Sequence, residues 1–145
     1  MQRYILIHPW LNQFAIDVGL SSGIRYINSF NHSSDLADKA VAVLDDIRKD
    51  GVNVTVLIIP SKLLWLGYFQ KEALGFHEYF VSSLAKNRFQ VVDAKGLFES
   101  SGDPLQYHFM HDGHWNALGH KAVAQKLNSF ITENGLLHLS PDGRK

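Results

Sequence analysis

The stretch VNVTVLIIPSK, residues 52–62, decides how the rest of the chain is read. After Thr55 the side chains Val56, Leu57, Ile58 and Ile59 run without a polar interruption and stop at Pro60, which withdraws a ladder donor. A strand that is apolar on both of its faces is covered on both, as the strands of a parallel sheet are. Proline, serine and lysine then follow at the carboxyl end of that strand, the edge at which open α/β sheets bind ligands.

Two shorter runs have the same character. Tyr4-Ile5-Leu6-Ile7 ends at His8-Pro9, and Phe89-Gln90-Val91-Val92-Asp93 lies downstream. Segments of helical period alternate with them. The first begins where Ser34 or Asp35 can cap it, carries Leu36, Ala40, Val43, Leu44 and Ile47 as an apolar stripe, and stops at Gly51. A second helix is expected over about 71–86, with Phe76, Phe80 and Leu84 one turn apart and Gly75 as its weak point. The third starts near Asn116, turns Leu118, Val123, Leu127, Phe130 and Ile131 inward, and ends at Asn134-Gly135. Strands alternating with helices predict an α/β domain with a mostly parallel sheet. We assign residues 1–138 to this single domain, read 14–31 as a long loop and 139–145 as a flexible tail. The loop 61–69 carries Leu63, Leu64, Trp65 and Tyr68, which cover a sheet edge or pack beneath the next helix.

Composition removes several classes of function. Fourteen basic residues balance fourteen acidic ones, and no basic cluster is longer than Arg48-Lys49, so the electrostatic footprint of a nucleic-acid binder is missing. With no cysteine there is neither a thiolate nucleophile nor a cysteine zinc site, and the compartment stays open. The run YILI is too short for a signal-peptide core, and no stretch approaches the roughly 20 apolar residues of a membrane span.

The chemistry is concentrated in FMHDGHWNALGHKAVAQKL, residues 109–127. Asp112 and His114 stand two apart in a loop that delivers into the third helix, with Asn116 placed to cap it. Such a loop can aim an imidazole at a reacting group while a carboxylate fixes its tautomer, the base-and-orienter half of a hydrolytic triad. The same residues, with His108, His111 and His120, form a pool of metal ligands, although their spacing matches no specific metal motif. Histidines scattered in a loop are more often solvated or hydrogen-bonded to backbone than metallated. Local spacing leaves the three readings open.

The order of elements, together with D-G-H-W-N-A-L-G-H at 112–120, resembles the last sequence block of the SGNH (GDSL-type) hydrolase superfamily, in some branches written D-x-H-W-N. VTVLIIPSK at 54–62 is similar to the strand-Pro-Ser-Lys passage of branches related to acyl-sugar esterases and O-acetyltransferases, and Val91-Val92-Asp93 followed by Gly96-Leu97-Phe98 adds a third likeness. The resemblance spans about 35–133. It implies a three-layer αβα sandwich, flavodoxin-like in outline, and ester hydrolysis or acyl transfer through a serine acyl-enzyme, on an acylated carbohydrate or small ester, without metal or organic cofactor. It makes His114 the general base, Asp112 its orienting acid, and Asn12, in HPWLNQF, the donor to the oxyanion.

The family's G-D-S-type nucleophile motif does not occur in the 145 residues, nor does G-x-S-x-G. Ser22, in GLSSG, and Ser61 are the serines whose surroundings come nearest to a nucleophile turn. Three strands and three helices correspond to the back part of such a fold, so the chain reads as its carboxyl-terminal portion, with an uncovered sheet edge that favours self-association. A reading from another class keeps the α/β scaffold as a non-catalytic binding or assembly module, with the aromatic loop 65–69 as its contact surface. A metalloenzyme is the third.

Overall fold

A computed structural model describes residues 33–66, 69–110 and 113–136. The first strand expected from sequence, the loop 14–31, Asn12, Ser22 and the tail 139–145 lie outside the described residues. Within them the chain is a mixed α/β unit with four helices and a two-stranded parallel sheet.

Helix α1 (Ser33–Lys49) leads into β1 (Thr55–Ile58). Helix α2 (Gln70–Lys86) makes the crossover that parallel pairing requires, and β2 (Gln90–Asp93) returns beside β1. The register runs from Thr55 opposite Gln90 to Ile58 opposite Asp93. A short helix α3 (Lys95–Glu99), a 3-10 turn (Pro104–Tyr107) and a loop follow, before helix α4 (Ala117–Glu133). Helix α3 and the 3-10 turn were not foreseen. Each is little more than one turn, too short for a hydrophobic period to develop.

The two-sided apolar character of residues 54–59 sorts by alternate residues. Val54, Val56 and Ile58 join Val41 of α1, Phe80, Val81 and Leu84 of α2, and Phe89 in one core cluster. Leu57 and Ile59 face a second cluster built on Ala94, Phe98 of α3 and Val123 of α4, with Trp65, Leu97, Tyr107 and Trp115 around it. Period-two alternation in a strand thus divides one run between two cores. Phe98, Leu84 and Val123 are among the largest wholly buried side chains. Truncating any of them to alanine removes packing of the order of 2–5 kcal/mol.

Three helices dock with faces slightly rotated from those expected. In α1 the buried residues are Ala37 and Val41, with Ala40 and Leu44 half-buried, whereas Leu36, Val43 and Ile47 are exposed. The apolar residues of α1 span a wider arc than its neighbour α2 covers, and the small Ala37 marks the side of close contact. In α4, Val123 is buried and Leu118 is 46 % exposed, its expected place being taken by Gly119. The expected buried stripe of α2 shifts in the same way. Leu84 is inside as read, Phe76 and Phe80 stack on each other half-buried, and Ala73 and His77 occupy the interior beside them.

Arg48 fastens the end of α1 to the end of α2. Its guanidinium donates to the Asn87 carbonyl at 2.7 Å, lies over the Phe89 ring 4.4 Å from its centroid, and pairs with Asp45. No helix among the described residues is long and apolar enough to cross a membrane.

Candidate functional site at the carboxyl end of the sheet

Both strands deliver polar side chains to the same end of the sheet. Beyond β1 come Pro60, Ser61 and Lys62, and β2 ends on Asp93. Ser61 caps a 3-10 turn (Lys62–Leu64), its hydroxyl accepting from the Leu63 amide at 3.2 Å. Lys62 reaches across to the histidine-bearing loop and donates to the carbonyl oxygens of Phe109 and Met110, each at 2.8 Å.

The loop before α4 is a small closed structure. His108 and Trp115 face each other as an antiparallel bridge, the Phe109 amide donates to the His114 carbonyl at 3.0 Å, and the Asn116 amide donates to the Tyr107 carbonyl at 2.8 Å. His114 is exposed on this loop, directly ahead of the helix. Asp112 and His111 fall outside the described residues, as does Asn12.

Asn116 is the helix cap anticipated from sequence, and it does more than cap. Its Oδ1 accepts from the amides of Leu118 at 2.9 Å and Gly119 at 3.1 Å, satisfying two donors that a helix N-terminus leaves open. Its Nδ2 donates to the carbonyls of Gln106 at 2.8 Å and His108 at 3.1 Å. One side-chain amide therefore ties both sides of the loop to the start of α4.

The other histidines have separate surroundings. His108 is buried, 6 % exposed, with Trp65 and Phe98 beside its ring; Nε2–H donates to the Pro60 carbonyl at 3.3 Å and Nδ1 is buried without a partner. His120, in the first turn of α4, stacks on Trp115 with ring centroids 3.8 Å apart. Among the described residues no three histidines and carboxylates gather into a metal-ligand group.

A pair that sequence reasoning missed lies behind the sheet end. His77, 8 % exposed, donates from Nε2 to Asp93 Oδ2 at 2.9 Å, while Asp93 Oδ1 accepts from the Lys95 amide at 2.9 Å. Burial is the largest single influence and works to raise the Asp93 pKa, but the hydrogen bond from His77, the Lys95 amide and the charges of His77 and Lys95 together outweigh it, so the carboxyl sits below its ordinary value. The available signal was positional: His77 falls on the inner face of α2 and Asp93 ends a strand.

Trp65 packs against the second core. Its ring is half-buried near Phe98 and His108, and its indole N–H donates to Glu99 at 3.2 Å. Leu66 is the exposed apolar residue of that turn, and Tyr68 lies outside the described residues. No family model, curated protein or solved structure matches the chain.

Proposed function

We propose that the chain forms the base-bearing part of an SGNH-type serine esterase or O-acyltransferase, built as a three-layer αβα sandwich and acting on an acylated carbohydrate or small ester. One observation carries the reading. His114 stands on a closed loop between a 3-10 turn and an Asn116-capped helix, and that loop is fastened by Lys62 to the exit of a parallel strand, the edge where α/β enzymes hold substrate.

In this reading His114 removes the proton from a serine hydroxyl as the oxygen attacks the ester carbonyl, and Asp112 holds the imidazole in the tautomer that can accept it. Asn12 donates to the oxyanion of the tetrahedral intermediate. The protonated His114 then gives its proton to the departing alcohol, leaving an acyl-serine that water or an acceptor hydroxyl resolves. The family's G-D-S-type serine motif does not occur in these 145 residues, and the Ser61 hydroxyl serves as a turn cap.

The test uses the native protein from its source with 4-nitrophenyl acetate as substrate. Replacing the triad base, His114→Ala, is expected to lower turnover on the order of 10³-fold or more, and a fluorophosphonate should label one serine in the wild type. Turnover unchanged in the variant, or a wild type that neither hydrolyses the ester nor takes the label, would overturn the proposal.

A further inference from the structure

We infer that Lys62 is a positioning residue for the base, a cationic clamp that sets the placement of the His114 loop. The inference rests on the reading of His114 as the general base and adds to it a residue two positions beyond the strand-ending proline.

The geometry is specific. Two backbone carbonyls, of consecutive residues 47 and 48 positions away in sequence, converge on one ammonium at 2.8 Å each. Charge-assisted bonds of this kind are about twice as strong as neutral ones. Phe109 carries the coupling onward: its carbonyl oxygen accepts from Lys62, and its amide donates to the carbonyl of His114. A single residue thus stands between the cation and the base's own backbone. The same two segments meet a second time, where His108 Nε2–H donates to the Pro60 carbonyl. Pro60 is wholly buried, so the strand exit forms a rigid post, and Lys62 is the arm extended from it to the loop.

Loops need such an arm when they carry a reacting group. A misplacement of about 1 Å can cost on the order of 10²-fold in rate, and loop-borne sites are less precisely held than those on helices or strands. The cap at Asn116 and the bond between Phe109 and His114 fix the base of the loop. Lys62 holds its ascending side, at Phe109 and Met110, just ahead of Asp112.

Two measurements test the clamp, and they fail independently of the functional reading. In the 145-residue chain, amide hydrogen exchange followed by NMR is compared among wild type, Lys62→Met and Lys62→Arg. The Phe109 amide is expected to exchange at least about tenfold faster in Lys62→Met, with amides in the middle of α2 and α4 unchanged, and Lys62→Arg is expected to recover most of the protection, since it restores a cationic donor. Unchanged exchange at Phe109, or an equal loss of protection throughout α2 and α4, overturns the clamp. In the native protein, Lys62→Met is expected to lower kcat for 4-nitrophenyl acetate by about ten- to a hundredfold with KM within about twofold, and Lys62→Arg to recover part of it. A normal kcat in Lys62→Met beside a dead His114→Ala overturns the positioning role and leaves the base assignment standing. Turnover unaffected by His114→Ala removes the base assignment, while the exchange data still judge whether Lys62 holds the loop.

Discussion

Gly119 lies so close beneath Tyr107 that a methyl group on its Cα would meet the Tyr107 carbonyl oxygen at 2.6 Å and the Trp115 Cβ at 3.1 Å. That carbonyl is itself fixed, because it accepts the Asn116 amide at 2.8 Å. The first turn of α4 and the 3-10 turn before the His114 loop are therefore in backbone contact at this point.

Substitution at Gly119 should consequently reverse the usual helix preference. Alanine normally stabilises a helix interior by about 1 kcal/mol over glycine, and Gly75 in α2, with nothing within 4 Å of a built Cβ, is expected to show that gain. Gly119→Ala is expected to destabilise by about 2 kcal/mol, as overpacking against fixed backbone does. Urea midpoints of the two variants should move in opposite directions from wild type; a Gly119→Ala midpoint at or above wild type would show that α4 can slide away freely.

Asn116 separates two roles that are usually confounded. As ordinary N-caps, aspartate and asparagine are nearly equivalent. Here the amide nitrogen also donates to two carbonyls, so Asn116→Asp would aim a carboxylate at acceptors that need a donor. We expect Asn116→Ala to cost about 2 kcal/mol, and Asn116→Asp to cost at least about 1 kcal/mol although it keeps the cap. Thermal melts of the three proteins decide it. Equal stability of Asn116→Asp and wild type would mean that the donor half contributes nothing.

Asp93 gives a pH dependence of definite sign. Its carboxyl is depressed in the folded chain, whereas in the unfolded chain an aspartate titrates near pH ~3.9. Between the two values the unfolded state binds more protons, so stability rises with pH across that window. The contribution is fully present above the unfolded value and is lost as pH falls through the folded one. The stability gap between wild type and Asp93→Asn should accordingly be larger at about pH 6.5 than at about pH 2.5, measured by urea denaturation. A gap that does not change with pH would place the value of Asp93 in shape rather than charge.

Much of the frame was legible because it rests on long periods and strong punctuation. The run ended by Pro60 is a strand, the segment at 89–93 pairs beside it, and the helix that starts after Asn116 ends at Asn134 and Gly135, where φ is +60°. What sequence could not fix was rotation. Leu36, Val43 and Ile47 fit a helical stripe as well as Ala37 and Val41 do, and only the proximity of α2 chooses between them. The site was legible in part for a similar reason. His114 and Asn116 share one local stretch, and their spacing reveals a loop meeting a helix. Lys62 and Phe109, or His77 and Asp93, are distant in sequence and meet only when the crossover closes.

Two of the four positions N-A-L-G at 116–119 answer to architecture. Asn116 is required because one side chain must both give and receive, and Gly119 because there is no room for a Cβ. Neither requirement refers to the imidazole two residues upstream. A chain of this shape with another residue in place of His114 would still spell asparagine and glycine at this interval. As a diagnostic for chemistry, the block is therefore only as informative as Asp112 and His114, and its asparagine and second glycine are the signature of a corner.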